Sequence, residues 1–276
     1  MKADLHVHSH YSDGSDSAEK IFQYASNAKL THISVVDHDT VDGWLELKSL
    51  SLRYGIQAIP GIEISAYDFR RNRKVHVLGY QYNPDATNIK ALCNPLLKRR
   101  QNNSVWQINQ IRSLGYDLDK DIVSKIAQPS NTIYKQHIMK QLTEASFTSR
   151  EYINLYKMLF KGNGIAAKDI EYVDVFDAVQ AIVADGGLAV VAHPGQLDSY
   201  ELIPELIEVG LGGIELIHPD HNEEDHRRIK ELSSKYNLIL TGGTDYHGIF
   251  GIDIKIGDLV SPSLPANERN NLIYFK

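Results

Sequence analysis

Seven short β-rich runs recur along the chain, most of them followed by an amphipathic helical pattern, and this alternation limits the fold more than any other feature. Ala3 to His8 alternates, with Leu5 and Val7 on one side and Asp4, His6 and His8 on the other, which is the period of a strand. His32–Val36, Ile56–Ser65, Lys74–Tyr80, Gly187–Ala192, Gly213–Ile217 and Asn237–Gly242 supply the remaining runs. Helical spacing is read over Ala18–Ala28 (with Ser17 as N-cap), Gly43–Tyr54, Asp174–Asp185, Leu202–Val209 and Glu223–Tyr236. The pattern predicts parallel βα units, as an open doubly-wound sheet or a barrel.

Residues 91–165 break the alternation. They carry no strand pattern, while Val105, Ile108, Ile111 and Leu114, and then Tyr152, Ile153, Tyr156, Leu159 and Phe160, keep helical spacing. A helical domain inserted between two β-rich parts, 1–90 and 166–276, is the expected organisation. Between Lys98 and Lys140 the insertion carries eight basic residues against three acidic. Such a run is either an ordinary solvated face or a lid that recognises an anion.

Composition narrows the function. A chain of 276 residues with 42% hydrophobic and 23% charged residues can bury a sizeable core and is not a disordered tract. Its one cysteine, Cys93, excludes an intrachain disulfide and a zinc site built on thiolates. The net charge of −6 excludes a broadly basic surface that coats DNA. The N-terminus lacks the apolar stretch of a signal peptide and no apolar run is long enough to span a bilayer, so a cytoplasmic protein with no membrane partner is expected. Against so little cysteine stand 12 histidines.

Those histidines sit where the strands end. His6-x-His8 places two imidazoles on one face of the first strand, because alternate residues share a face. Asp13 follows in a polar loop, Asp37-His38-Asp39 ends the second strand and Glu63 the third. His76 lies in the fourth, His193 ends the fifth and Asp245-x-His247 ends the seventh. In a parallel barrel these ends converge on one rim, which favours the barrel over the open sheet. Six imidazoles and three carboxylates suit a cluster of divalent ions such as Zn, Mn or Fe without thiolate. His10 reads as a neighbour of that cluster, and His32, His221 and His226 as packing or surface residues. No Walker or Rossmann glycine loop and no Gly-x-Ser-x-Gly elbow is present.

The motifs His6-Val7-His8-Ser9-His10-Tyr11-Ser12-Asp13-Gly14, Asp37-His38-Asp39-Thr40, Gly61-Ile62-Glu63-Ile64-Ser65, His76-Val77-Leu78-Gly79-Tyr80, Ala192-His193-Pro194 and Gly242-Gly243-Thr244-Asp245-Tyr246-His247-Gly248 occur in the order seen in PHP (polymerase and histidinol phosphatase) domain phosphoesterases. The chain resembles most the stand-alone bacterial branch with an inserted helical domain, which includes nucleoside 3′,5′-bisphosphate phosphatases and 5′→3′ exoribonucleases. The resemblance implies an α/β fold, a distorted (β/α)7 TIM-like barrel. It implies three divalent ions, drawn from Mn, Fe, Zn and Mg: one held by His6, His8, Glu63 and Asp245, a second by Glu63, His76 and His193, a third by Asp13, His38 and His247. Glu63 would bridge two of them, and Glu63, Asp245 and His193 would carry the catalytic roles.

The expected activity is hydrolysis of a phosphomonoester or phosphodiester of a small nucleotide, a bisphosphate or a 5′-phosphorylated short RNA, by a metal-activated hydroxide. Asp37, Asp39 and His218 are placed to serve as the acid for the leaving group or to orient the ligands. In that branch, insertion arginines and an Arg-x-His element bind the phosphate that is not cleaved. Here Arg99 and Arg100 match the first stretch, with Asn103 where a second Arg is frequent, and Lys135 and His137 match the second element with Lys in place of Arg. Lysine offers a point charge where arginine offers a fork, so the departure bears on the substrate and not on the ion cluster. A histidinol-phosphate phosphatase and a metal-binding module without turnover are the competing readings.

Overall fold

The computed structural model describes residues 2–262. A parallel three-stranded sheet, order β1-β2-β3, is built from β1 (Ala3–Val7), β2 (His32–Val35) and β3 (Gln57–Ala58). A six-stranded sheet, order β6-β4-β5-β7-β8-β9, contains β4 (Gly61–Asp68), β5 (Arg73–Tyr80), β6 (Val173–Asp174), β7 (Leu188–Val191), β8 (Leu211–Ile217) and β9 (Ile239–Gly242). The helices α1 (Ala18–Asn27) and α2 (Trp44–Tyr54) cover the smaller sheet. The larger one packs against α7 (Val175–Ala184), α9 (Ile203–Ile207) and α10 (Glu223–Tyr236), with α8 (Pro194–Leu197) following β7.

Two features differ from the expected parallel units. The run Ile56–Ser65 is not one strand: Pro60, which has no N–H to give a ladder, separates β3 from β4, and the two join different sheets. β5 runs antiparallel to both β4 and β7, because Asp68 accepts the backbone N–H groups of Arg70 and Arg71 at 3.1 Å and turns the chain straight back. Alternation reports which residues share a face, and it is silent on strand direction.

The sheets meet through isolated bridges at Val7↔Tyr246 and His38↔Glu63, with His8 N–H donating to Tyr246 O at 2.8 Å and Asp39 N–H to Glu63 O at 2.9 Å. Both seams lie at the C-terminal ends of β1 and β2. A small apolar cluster that includes Leu5, Val36, Leu78, Tyr80 and Val190 joins the sheets, and the Tyr80 hydroxyl donates to Leu5 O across it.

Residues 87–160 form four helices: α3 (Thr87–Ser113), α4 (Lys120–Ala127), α5 (Lys135–Leu142) and α6 (Arg150–Phe160). α3 serves two cores. Ile89, Cys93 and Leu96 pack with the larger sheet and α7, whereas Ile108 and Ile111 belong to a separate cluster with Val123, Ile138, Leu159 and Ala166. The helical segment is thus anchored by a shared helix rather than by a flexible linker. Among the described residues, no helix is long and apolar enough to cross a membrane.

Candidate metal centre

The two bridges bring the C-terminal ends of β1 and β2, the start of β4 and the segment after β9 to one place, and the predicted cluster forms there. Glu63 stands near the start of a strand rather than at the end of one, because Pro60 divides the run that was expected to end with it. Glu63, 1% exposed, is its middle. Its Oε2 lies 3.2 Å from His6 Nε2, 3.0 Å from His8 Nε2 and 3.5 Å from His38 Nδ1, while Oε1 lies 2.8 Å from His76 Nδ1 and 2.9 Å from His193 Nε2. Asp245 Oδ1 reaches His6 Nε2 at 3.2 Å and His8 Nε2 at 3.3 Å. Asp13 faces His247 Nε2 at 3.4 Å, His8 Nδ1 at 3.8 Å and His38 Nε2 at 3.9 Å.

Ligand atoms lie within 4.8 Å of one another in three groups: His6, His8, Glu63 and Asp245; His8, Asp13, His38 and His247; and His38, Glu63 and His76. The first is the set implied by the resemblance. The third has His38 where His193 was expected, although His193 touches the same Glu63 oxygen as His76. The second adds His8 to Asp13, His38 and His247.

These residues fit divalent cations. His6 Nδ1 donates to Glu215 Oε1 at 2.8 Å, so in the neutral ring Nε2 turns a lone pair on two carboxylate oxygens. His8 Nδ1 and Nε2, His38 Nδ1 and His193 Nδ1 are buried without a hydrogen-bond partner. Charging every ring would not solve this, because the His8 and His247 rings stack with centroids 4.2 Å apart. A cation takes the lone pair of one nitrogen on each ring and neutralises the carboxylates between the rings. Burial pushes Glu63 upward, but His38, His76 and His6 outweigh it and hold the carboxyl well below the usual range. Asp13 is held low in the same way, chiefly by His247 and His38 against its own burial.

The surrounding residues fix these groups. Asp37 accepts from Ser9 N–H at 2.8 Å and from the Ser9 and Ser12 hydroxyls at 2.7 Å each, which shapes the loop that delivers Asp13. Asp39 accepts Ser65 N–H at 2.7 Å and Arg100 Nη2 at 2.6 Å. Asp220 N–H donates to His218 Nδ1 at 3.1 Å, which leaves Nε2–H toward Asp245 Oδ2 at 3.3 Å. All three residues that were candidates for the acid are engaged in holding the cluster. Asp39, His193 and Asp245 have φ of +61°, +24° and +50°, a strained conformation for non-glycine residues that only dense local bonding maintains. Gly243 lies so close to β1 that a Cβ would stand 2.4 Å from His6 N, so the turn carrying Asp245 needs glycine there.

Of the insertion residues, Arg100 reaches the cluster's edge: Nη2 also donates to Ser65 Oγ at 2.9 Å, and the guanidinium lies 5.0 Å from the Tyr134 ring centroid. Arg99 and Asn103 instead donate to Glu171 O and Lys168 O. Lys135 Nζ sits 3.8 Å from Asp169 Oδ1, and burial pushes it down to about 8 in spite of that carboxylate. His137 is buried, its Nδ1 accepting Tyr134 N–H at 3.1 Å.

Sequence reasoning passed over several participants. Glu215 bonds both His6 Nδ1 and, through Oε2, His193 N–H at 2.8 Å, and it is fully buried. A carboxylate inside the apolar run Gly213-Ile214-Glu215-Leu216-Ile217 was the available signal. Gln136 Nε2 donates to Asp13 Oδ2 at 2.8 Å and the Tyr134 hydroxyl to His38 O at 2.9 Å, so α5 reaches into the cluster as well. Nothing in their spacing announces these two.

A family model described as the PHP domain matches residues 4–190. A phosphoribosyl 1,2-cyclic phosphate 1,2-diphosphodiesterase from Eggerthella lenta is 49% identical over 251 residues, covering 91% of this chain and 96% of the relative. A 3′,5′-nucleoside bisphosphate phosphatase from Chromobacterium violaceum is 26% identical, covering 88% of this chain and 86% of its own length. Among solved structures, a protein described as a metal-dependent phosphoesterase from Bifidobacterium adolescentis superposes with a TM-score of 0.84 at 24% identity, over 94% of this chain and 92% of that one. That likeness concerns the fold.

Proposed function

The chain belongs to the PHP domain family, and from that membership we propose that it hydrolyses a phosphoester on a ribose that carries a second phosphate, with a phosphoribosyl 1,2-cyclic phosphate as the lead substrate. It is a hydrolase, a metal-dependent phosphoesterase. The observation that carries the reading is Glu63, whose two oxygens face two separate sets of imidazoles, His6 and His8 on one side and His76 and His193 on the other. That is the arrangement a carboxylate adopts between two cations. We read the two sheets, joined at their seams, as the distorted barrel of this family, with residues 91–165 as its substrate lid.

Three divalent ions held by His6, His8, Asp13, His38, Glu63, His76, His193, Asp245 and His247 would supply Lewis-acid charge for the phosphoryl oxygens and lower the pKa of water. The chain's own contribution is placement. Glu63, Asp245 and Asp13 keep negative charge where cations are wanted, and Glu215 sets the tautomer of His6. Asp37 and Asp39 hold the loop ends, and Tyr134 and Gln136 close the cluster from the helical side. In the reaction water oxygen bonds to phosphorus, the bond from phosphorus to the ribose oxygen breaks, and the water's proton ends on the leaving ribose oxygen. Arg100, Lys135 and His137 are the residues that would hold the uncleaved phosphate on this reading. Arg99 and Asn103, tied to backbone carbonyls, would steady the lid instead.

The lead substrate rests on the Eggerthella relative, and the nucleotide reading on the bisphosphatase. The basic insertion favours both over histidinol phosphate, which has a single phosphate. Steady-state kinetics with Mn²⁺ on phosphoribosyl 1,2-cyclic phosphate, adenosine 3′,5′-bisphosphate, AMP, histidinol phosphate and a 5′-phosphorylated oligoribonucleotide decides. The expected order has the cyclic phosphate first and the bisphosphate ahead of AMP. A preference for histidinol phosphate overturns the substrate class, and no hydrolysis of any of them points to a module without turnover.

A further inference from the structure

We propose that Lys74 on β5 is a specificity-determining residue: with Lys135 it seats the substrate's uncleaved phosphomonoester, and Asp169 holds the two ammonium groups in place. The inference rests on the substrate class proposed above. It begins with register. β4 and β5 pair Ser65 with His76 and Tyr67 with Lys74, so these side chains share the face that carries Glu63. Lys74 therefore stands two residues beyond His76, about 7 Å along the strand, a reach comparable with the separation of phosphates carried at the two ends of one pentose.

Around that position the charges converge. Lys74 Nζ is hydrogen-bonded to Asp169 Oδ2 and lies 4.9 Å from the Tyr172 ring centroid, while Lys135 Nζ approaches the other Asp169 oxygen at 3.8 Å. Tyr172 stacks on Tyr67, with centroids 6.1 Å apart. Arg100 flanks the same hairpin at Ser65, one strand pair closer to Glu63. The two lysines share a single carboxylate, and Arg100 has Asp39, so this corner holds one positive charge more than its carboxylates balance. Lys74, held between Asp169 and the Tyr172 ring, loses little further freedom when an anion arrives. A phosphate dianion satisfies the excess, whereas a neutral sugar or a base does not.

The alternative for Lys74 is a purely structural ion pair tying β5 to the segment after α6. The test separates the two. Ratios of kcat/KM are measured for phosphoribosyl 1,2-cyclic phosphate against ribose 1,2-cyclic phosphate, in wild type, Lys74→Met and Lys74→Arg. Binding of ribose 5-phosphate is followed by calorimetry in the same proteins. The preference for the phosphorylated substrate should fall about 10- to 100-fold in Lys74→Met, as for loss of a hydrogen bond to a charged group, and be largely restored in Lys74→Arg. Ribose 5-phosphate binding should weaken in parallel. An unchanged ratio, an equal loss on both substrates, or no binding of ribose 5-phosphate by the wild type overturns the assignment. If wild type turns over neither cyclic phosphate yet binds ribose 5-phosphate in a Lys74-dependent way, the substrate reading fails and the phosphate seat stands.

Discussion

Glu63→Ala should lower phosphoester turnover by about 10³-fold or more, the largest single effect in the molecule. A 10³-fold loss corresponds to about 4 kcal/mol of lost transition-state stabilisation, the size of effect seen when a preorganised charge-stabilising group is removed from an active site. Here one side chain faces five imidazoles, and both of its oxygens are in use. Its loss frees His6, His8, His38, His76 and His193 at once. The variant should also retain fewer divalent ions than wild type after gel filtration, which emission spectroscopy reads directly. Full activity in Glu63→Ala would remove the bridging role. A well-folded variant is expected, because Glu63 leans toward the cluster while its neighbours Ile62 and Ile64 carry the core packing.

The second large effect is expected at a residue that touches no cation. Glu215→Ala should weaken divalent-ion affinity about 10- to 100-fold, the range seen when a carboxylate that orients a metal-bound histidine is removed. The argument is geometric. One oxygen of Glu215 fixes the His6 tautomer at 2.8 Å and the other holds the backbone N–H of His193 at 2.8 Å, where φ is +24°. Burial pushes the Glu215 carboxyl upward, but His6 more than offsets it and the group stays ionised at neutral pH. Glu215→Gln keeps one acceptor and should fall between wild type and Ala. Metal titration with a fluorescent competitor gives the affinities. Affinity unchanged in both variants would reduce Glu215 to a packing residue.

The contrast between these two glutamates shows what the sequence makes legible. Glu63 belongs to one of the motifs in which His and Asp recur, and that recurrence leads to it although it stands third in β4 rather than at a strand end. Glu215 sits inside a strand, where one carboxylate among apolar neighbours gives no clue to its partners. His6 lies 209 positions away in the chain, and only the fold brings the two together. The same limit explains Gln136, which meets Asp13 through helix placement, and Lys74 and Asp169, 95 positions apart, which the fold brings together. It also explains the strands. Pattern located most of them, yet Pro60 dividing a single apolar run, and the Asp68 turn that reverses β5, are decided by local backbone bonding.

Helical spacing predicts an insertion over residues 91–165, whereas the first helix begins at Thr87 and packs into the core of the larger sheet through Ile89, Cys93 and Leu96. Apolar spacing marks a helix without marking which core it serves. The insertion's charge was equally ambiguous. Lys98 to Lys140 is basic in sum, yet Arg99 is bonded to a backbone carbonyl while Arg100 turns toward Asp39. Adjacent arginines thus divide between bracing and the site, as their positions around α3 dictate.

The central claim is that turnover depends on divalent ions held at the cluster around Glu63. The most direct test strips the purified protein with a chelator, removes the chelator, and follows loss of phosphoribosyl 1,2-cyclic phosphate and phosphate release from adenosine 3′,5′-bisphosphate while Mn²⁺ is added back, with bound metal per chain measured on the same samples. Activity should vanish on stripping and return in step with occupancy, reaching its plateau at more than one ion per chain. Undiminished turnover by protein shown to be free of metal would contradict it.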